Sequence, residues 1–307
     1  MKLLVALVLA TAIALLVGPA GIDSAVVAMR APRVAAALVA GAGLALAGVA
    51  MQALLRNALA EPFVLGMSGG ASLGAVLAVL VWPWFPPAVA ASAGALASAV
   101  LVGSVGRSSD GLMPPTRLLL SGCAVAAVLG ALTGFALSVA PQSRAVRAAL
   151  YWTSGSLGAA SIPALAVACA VTVVSGALLA QRVGDLDRLL LGEETAASLG
   201  VDVPRLRGLL LVVGAGLTGA LVALGGPIGF VGLAAPHLAR LWVGATHARL
   251  LPYAAGLGAL LLLASDTLAR AAFAPREVPT GLLTAALGGP FFLWMLRSRR
   301  YTFGEAC

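Results

Sequence analysis

The amino-acid sequence predicts an all-α, polytopic membrane protein with about ten transmembrane helices. Hydrophobic residues make up 61% of the chain, charged residues only 10%, and the mean hydropathy is +1.05. Soluble domains usually contain about 25% charged residues. Because about 20 apolar residues are needed to cross a bilayer, the 307 residues leave no room for a large soluble domain. We therefore expect residues 1–307 to form a single transmembrane domain.

Ten apolar runs define the predicted spans. Proline and glycine separate many of them; residues 82–87, for example, contain three prolines, and proline ends helices because it lacks an amide donor. The predicted spans are residues 3–17, 34–55, 63–81, 88–105, 118–140, 162–180, 208–224, 228–243, 250–269 and 280–296.

The first apolar run is short and follows Met1 and Lys2. A positive start followed by about 7–15 apolar residues is also the pattern of a cleaved signal peptide. We expect a retained first span, which places both termini on the same side of the membrane.

The distribution of basic residues predicts the orientation. If the N-terminus is cytoplasmic, twelve basic residues fall on the cytoplasmic side and six on the outer side, as the positive-inside rule requires. The cytoplasmic set is Lys2, Arg56, Arg107, Arg117, Arg182, Arg188, Arg205, Arg207, Arg249, Arg297, Arg299 and Arg300. The outer set is Arg30, Arg33, Arg144, Arg147, Arg270 and Arg276. The outer arginines have few acids near them in sequence, which predicts an acidic partner on that side.

The net charge of +8 does not indicate nucleic-acid binding, because the arginines are scattered between apolar runs and do not form one basic stripe. Cys123, Cys169 and Cys307 are more than forty residues apart. This spacing predicts neither a disulfide framework nor a metal site.

The sequence points to an energy source outside this chain. The phosphate-binding loop Gly-x-x-x-x-Gly-Lys-Ser/Thr is absent, since the one lysine is Lys2. If ATP drives the protein, ATP and Mg bind to another subunit, and we expect no cofactor on this chain. The alternative is an ATP-independent secondary transporter of a small organic solute. It would need a carboxylate within the membrane, and Asp266, near an outer end, is the candidate.

A third class, a membrane-embedded hydrolase, is suggested by Gly66-Met67-Ser68-Gly69-Gly70, which fits the Gly-x-Ser-x-Gly pattern. That motif requires a preceding strand, and here its flanks are predicted membrane helix. His237 and His247 are the only histidines, and the sequence assigns neither an acidic partner. We therefore expect these glycines to serve close helix packing.

The longest polar segment, residues 181–207, is predicted to be cytoplasmic. Residues 192–200 read as one short helix with acids in its first turn and a closing glycine, and Asp202 starts a second turn. An exposed Leu199 on this helix suits insertion into a groove of a cytoplasmic partner. A plain solvated connector is the alternative.

Several stretches of the sequence resemble the FecCD family of ABC importer permeases. They occur in the family's order over nearly the whole chain, and together they are specific where one alone would not be. The stretches are Arg30-Ala31-Pro32-Arg33, Gln52-Ala53-Leu54-Leu55-Arg56-Asn57-Ala58-Leu59-Ala60-Glu61-Pro62, Gly66-Met67-Ser68-Gly69-Gly70-Ala71, Trp152-Thr153-Ser154-Gly155-Ser156-Leu157, Gly226-Pro227-Ile228-Gly229-Phe230-Val231-Gly232-Leu233-Ala234-Ala235-Pro236-His237 and Glu277-Val278-Pro279-Thr280-Gly281.

The resemblance implies the ten-helix permease of the type II ABC importer fold in the inner cell membrane. Such permeases form a dimer, bind two cytoplasmic ATPase subunits and receive iron–siderophore, haem or cobalamin from a substrate-binding protein. The permease subunit itself is not an enzyme. One departure is Ala58, where the family usually has proline.

The resemblance also implies two protein-binding surfaces. The coupling segment, about residues 185–207, would bind the ATPase, and three arginines would bind the substrate-binding protein. The implied coupling residues are Glu193, Glu194, Ala197, Leu199, Gly200, Val201, Pro204 and Arg205. The implied docking residues are Arg30, Arg33 and Arg270; lipid headgroup anchoring is their alternative.

A translocation path along the dimer axis is implied as well, lined mainly by the fifth and tenth spans. Single serines and threonines in a membrane helix often bond back to their own backbone, and that alternative stays open. The candidate path residues are Ser121, Thr133, Ser138, Ser154, Ser156, Thr280 and Thr284.

The cargo is less well defined by the sequence. His237 is a candidate haem ligand, but Pro-His occurs in the family irrespective of cargo, so we expect a structural role. Gly155-Ser156-Leu157 resembles the iron and haem branches more than the cobalamin branch. We therefore expect an iron chelate, with cobalamin next.

Overall fold

The computed structural model describes residues 2–18, 23–108, 113–140, 143–158, 160–272 and 277–297. These residues form thirteen α-helices and one 3-10 helix, Pro62–Leu65, and none of them lies in a strand. The all-α prediction is confirmed. The helices are α1 (Lys2–Leu16), α2 (Ser24–Leu55), α3 (Met67–Val81), α4 (Pro87–Val105), α5 (Pro115–Ser138), α6 (Ser143–Thr153), α7 (Ile162–Gln181), α8 (Val183–Leu190), α9 (Glu193–Ser198), α10 (Val203–Gly225), α11 (Val231–Val243), α12 (His247–Ala271) and α13 (Thr280–Arg297).

Within the described ranges, six helices are long and apolar enough to cross a membrane, namely α2, α4, α5, α7, α10 and α12. Helices α1, α3 and α13 are apolar but shorter. Helix α11 occupies the eighth predicted span. The chain is therefore a multi-pass membrane protein, and its helices follow the order of the predicted spans.

Helix α2 is the centre of the bundle and packs against α7, α10, α11 and α12. Glycines on α2 allow these neighbouring helices to pack closely against it. A Cβ atom on Gly41 would overlap the carbonyl oxygen of Gly258 on α12, and one on Gly48 would overlap that of Gly232 on α11. Small residues at helix crossings let backbones approach closely, which increases the van der Waals contact that holds membrane helices together.

The start of α2 was predicted wrongly. The helix begins at Ser24 and not at Val34, so Arg30-Ala31-Pro32-Arg33 lies inside it. The error arises because two arginines and a proline interrupt the apolar pattern. A proline within a helix removes one backbone hydrogen bond, and in a bundle the surrounding helices compensate for that loss.

Three short helices lie between the membrane-crossing helices, and the sequence predicted only α9. Helices α6 and α8 have 11 and 8 residues, so neither contains an apolar run of membrane length. Helix α10 begins at Val203, before the predicted residue 208, because the Asp202 side chain accepts a hydrogen bond from the Arg205 amide at 3.1 Å and caps it. The turn predicted after Asp202 is the first turn of α10.

Residues 226–230, between α10 and α11, are not helical although they lie inside the bundle. Phe230 has a positive φ of 68°, and its amide donates a hydrogen bond to the carboxylate of Glu61. An irregular segment at membrane depth needs partners of this kind, because the hydrocarbon offers none. Glu61 lies within one of the stretches that resemble the family, but its role was not predicted from the sequence.

We predict that Gly48→Ala destabilises the protein, because the added methyl group forces α2 away from Gly232. Overpacking of this kind costs about 1–3 kcal/mol. The control is Gly216→Ala on α10, where nothing lies within 4 Å of the added atom. Thermal unfolding midpoints in detergent should fall for Gly48→Ala only. A lower midpoint for Gly216→Ala than for Gly48→Ala would show that the crossing is not tightly packed.

Candidate functional site

A cluster of charged residues lies where α2 and α13 begin and α12 ends. We call this set, Arg30, Arg33, Asp266, Arg270 and Glu277, the arginine cluster. Its centre is the Asp266 side chain, which has no exposed surface. Arg33 donates from Nε and Nη2 to Asp266 Oδ1, each at 3.1 Å. The Asp266 carboxylate therefore ties α2 to α12.

Two further side chains meet the same carboxylate. The Thr280 hydroxyl donates to Asp266 Oδ1 at 2.9 Å, which ties in the first residue of α13. Arg270 Nε lies 3.2 Å from Asp266 Oδ2, as an ion-pair contact without hydrogen-bond geometry. Two positive charges and one hydroxyl thus compensate the burial of one negative charge, as buried charges require.

Arg33 also contacts an exposed acid. Its Nη1 lies 2.7 Å from Glu277 Oε2; the Arg33 side chain is 13% exposed and the Glu277 side chain 45%. Arg33 therefore bridges a fully buried carboxylate and a surface carboxylate.

Arg30 and Arg270 have a different environment. Arg30 Nη1 donates to the carbonyl oxygens of Leu15 and Leu16 at 3.0 and 3.1 Å, and Arg270 Nη2 donates to that of Ala14 at 3.1 Å. These carbonyls belong to the last turn of α1, which has no further helical turn to satisfy them. Cationic side chains are favourable at this end of a helix. Both arginines hold the end of α1 in place.

The sequence shows few acids near these arginines along the chain, but the structure places Asp266 beside both Arg33 and Arg270. Asp266 is 233 residues from Arg33 in the chain, so sequence proximity could not reveal that pair. A local signal did exist, because Asp266 and Arg270 are four residues apart on one helix. Arg276 lies outside the described residues.

Three glycine-containing segments meet beside the arginine cluster. The Gly281 amide donates to Gly155 O at 2.9 Å, and the Ser156 amide donates to Gly225 O at 2.7 Å. Gly155 and Gly226 have positive φ values of 72° and 71°. A Cβ atom on Gly226 would lie 2.6 Å from Trp152 O. Three of the stretches that resemble the family, far apart in sequence, therefore form one junction in the structure.

The candidate path residues are all engaged by the protein itself. The hydroxyls of five of them donate to backbone carbonyls three or four residues earlier in the chain, as the alternative interpretation anticipated. Ser156 lies 3.1 Å from the Tyr151 hydroxyl, and Thr280 bonds to Asp266. The five are Ser121, Thr133, Ser138, Ser154 and Thr284.

The coupling segment lies at the opposite end of the bundle, where α10 and α12 begin. Its surface includes Leu199, which is 51% exposed. Gly200 has a φ of 85°, and the Val201 amide donates to Ala196 O at 3.0 Å, which closes α9 in the manner of a helix C-cap. Six of the eight implied coupling residues are exposed, namely Glu194, Ala197, Leu199, Gly200, Pro204 and Arg205, whereas Glu193 is half-buried and Val201 is buried.

Two polar contacts fix this segment to the membrane helices. Arg207 Nη2 lies 2.7 Å from Glu193 Oε1, and Arg207 Nη1 donates to Met113 O at 2.7 Å, just before α5. Asp187 on α8 accepts from the His247 amide at 2.9 Å and lies 2.6 Å from His247 Nδ1. Neither contact was predicted from the sequence, and the expectation that His247 lacks an acidic partner was wrong. The pairs join residues 14 and 60 positions apart.

Two further candidates, His237 and the Gly-x-Ser-x-Gly stretch, make packing contacts in the structure. His237 is buried, with its ring edge-on to Phe291 at 6.3 Å between centroids. The described residues contain no group of three or more His, Cys, Asp or Glu side chains placed to hold a metal. Gly70, within the Gly-x-Ser-x-Gly stretch, faces Gly94 so closely that a Cβ atom on it would overlap the Gly94 carbonyl oxygen.

The sequence profile of the FecCD transport family matches residues 3–298. The chain belongs to this family. The hemin transport system permease protein HmuU of Yersinia pestis is 43% identical over 283 residues, covering 89% of this chain and 83% of HmuU. The cobalamin import system permease protein BtuC of Halobacterium salinarum is 42% identical over 277 residues, covering 88% of this chain and 73% of BtuC.

A solved structure gives the same result for the fold. A chain described as an inward-facing conformation of a metal-chelate type ABC transporter superposes with a TM-score of 0.88 at 30% identity, covering 96% of this chain and 97% of that one. The predicted family and the type II importer permease fold are confirmed. FecCD chains are permease subunits, and ATP hydrolysis in these importers lies on separate subunits.

We predict that Asp266→Asn lowers the thermal unfolding midpoint strongly, because it removes the buried counterion of Arg33 and Arg270 and leaves only the exposed Glu277 beside Arg33. Removing one partner of a buried ion pair costs about 3–5 kcal/mol. Asp185→Asn is a matched control, since Asp185 also contacts two arginines, Arg182 and Arg188, but in exposed pairs. Exposed pairs contribute about 0–1 kcal/mol. Equal midpoints for the two variants would contradict the proposed central role of Asp266 in stability.

Proposed function

We propose that this chain is the membrane-spanning permease subunit of an ABC importer that moves a metal chelate into the cytoplasm. The match to the FecCD transport family over residues 3–298 carries this proposal. The superposition on a metal-chelate type ABC transporter at a TM-score of 0.88 supports it. In this proposal two copies of the chain form a homodimer and work with two cytoplasmic ATPase subunits and one substrate-binding protein.

For the cargo, we propose an iron–siderophore or haem first and cobalamin next. The resemblance of Gly155-Ser156-Leu157 to the iron and haem branches supports this order.

We propose an inner-membrane location with both termini cytoplasmic. The arginine cluster then faces outwards and the coupling segment faces the cytoplasm. The length of α12 supports the placement of the two surfaces on opposite sides of the membrane. Its 25 residues span about 37 Å at 1.5 Å per residue, enough to cross about 30 Å of hydrocarbon. His247, beside the coupling segment, and Asp266 lie near its opposite ends.

For the outer surface, we propose that Arg33, with Arg30 and Arg270 behind it, receives acidic residues of the substrate-binding protein. Arg30 and Arg270 are buried and hold α1, so Arg33 offers the more accessible guanidinium. Two copies in a dimer would present a symmetric pair of basic surfaces. Complementary charge of this kind orients a partner and speeds its association.

For the cytoplasmic surface, we propose that the exposed face of α9 and the following turn binds the ATPase subunit. Movement of that subunit would reach α10 and the start of α5 through Arg207, and α12 through His247. ATP-driven rearrangement would then change which side of the path is open.

For the dimer interface, we propose the exposed apolar face of α5. Leu120, Val128 and Phe135 on this helix are 72%, 60% and 66% exposed. A second copy seated there would place α5 of both chains beside the central path, which agrees with the fifth span as a path helix.

The proposed function predicts ATP-dependent uptake. The permease should be reconstituted in liposomes with its ATPase and binding protein and tested with haem, a ferric siderophore and cobalamin. We expect uptake of one chelate class that requires ATP and is indifferent to proton and sodium gradients. Uptake driven by an ion gradient without the ATPase would overturn the proposal in favour of a secondary transporter.

The coupling surface gives a separate prediction. Leu199→Asp should uncouple ATP hydrolysis from uptake, because it places a charge in the contact with the ATPase at a cost on the order of several kcal/mol. Leu199→Ala keeps an apolar side chain and serves as the control. Both variants should insert in the membrane normally. Unchanged uptake by Leu199→Asp would show that this segment is a plain connector and does not bind the ATPase.

A further inference from the structure

The donors of Arg33 are divided between two acids. Nε and Nη2 donate to the fully buried Asp266, and Nη1 contacts Glu277 at 2.7 Å. Asp266 therefore fixes the guanidinium on its inner side. The outward donor, Nη1, is occupied by a carboxylate of the same chain.

Any carboxylate that approaches Arg33 from outside meets the position of Glu277. Arginine has five N–H donors in one plane; Asp266 takes the Nε hydrogen and one of the two hydrogens on Nη2, and Glu277 takes one of the two on Nη1. An incoming carboxylate that pairs with Nη1 therefore competes with Glu277 for the same guanidinium nitrogen. The Glu277 side chain is 45% exposed, so it can exchange its contact with Arg33 for water without being buried as an unpaired charge.

We propose that Glu277 is an internal competitor for docking. It occupies on Arg33 the place that a carboxylate of the substrate-binding protein takes on association, while Asp266 remains the permanent counterion. This inference rests on the docking role of Arg33 in the proposed function.

Replacement of Glu277 on Arg33 also affects the start of α13, because Glu277 lies close to it in the chain. Glu277 is three residues before Thr280, the first residue of α13, whose hydroxyl stays on Asp266. A Cβ atom on Gly158 would lie 3.4 Å from Arg33 Nη1 and 3.6 Å from Glu277 Oε2, so the loop after α6 also adjoins the pair. Release of Glu277 frees the segment that leads into α13 from its contact with α2.

The test uses the full-length permease in lipid nanodiscs and the cargo-free substrate-binding protein encoded with it. Glu277→Gln should tighten binding about 1.4- to fivefold, which corresponds to the roughly 0.2–1 kcal/mol typical of an exposed ion pair. Asp23→Asn is the matched control. Asp23 is an exposed acid just before α2, and its side chain makes no capping hydrogen bond. It reproduces the change in net charge without touching Arg33.

A second pair of variants separates this inference from the docking proposal. An Arg33→Lys background keeps the positive charge beside Asp266 but lacks the planar guanidinium that reaches outward to a second carboxylate, so binding should weaken and Glu277→Gln should no longer tighten it. Unchanged affinity in Arg33→Lys and Arg33→Ala would overturn the docking role itself. Weaker binding in those variants, with Glu277→Gln no tighter than Asp23→Asn, would overturn only the competition by Glu277.

Discussion

Helix α2 can lie at the centre of the bundle because its glycines let the carbonyl oxygens of α11 and α12 approach its axis. In a bilayer the surrounding lipid is as apolar as the side chains, so close packing replaces the hydrophobic effect as the force between helices. The same closeness places the start of α2 against the end of α12. A buried carboxylate, Asp266, can then reach Arg33 across the two helices. The ion pair between Arg33 and Asp266 thus depends on the short distance between α2 and α12 that the glycines permit.

The proposed binding surfaces lie near the two ends of one uninterrupted helix. Near its first residue, α12 carries His247, which is held by Asp187 of the coupling segment. Near its last turn it carries Asp266, which holds Arg33 and Thr280. Helix α12 is continuous through Pro252 and has no charged residue between Arg249 and Asp266, so its polar contacts lie near its two ends. Helix α8 of the coupling segment and the start of α13 are therefore both bonded to α12.

The sequence alone was sufficient for the fold class, the family and the position of most apolar helices, because runs of about 20 apolar residues are characteristic of membrane-spanning helices. It was insufficient for α6 and α8, which are too short to stand out by composition. The ion pairs were also missed. Arg33 and Asp266 are 233 residues apart, and only packing brings them together. The signal that sequence could have supplied was the spacing of Asp266 and Arg270 on one helical face.

The capping of α1 by Arg30 and Arg270 has a consequence for the order of assembly. Helix α1 is synthesised before α12, yet one of the two side chains that satisfy its last carbonyls belongs to α12 and is made more than two hundred residues later. Until then, Arg30 is available to the Leu15 and Leu16 carbonyls, whereas the Ala14 carbonyl lacks the Arg270 donor and must bind water or lipid headgroups. Helix α1 therefore acquires its full set of contacts only after α12 has been made.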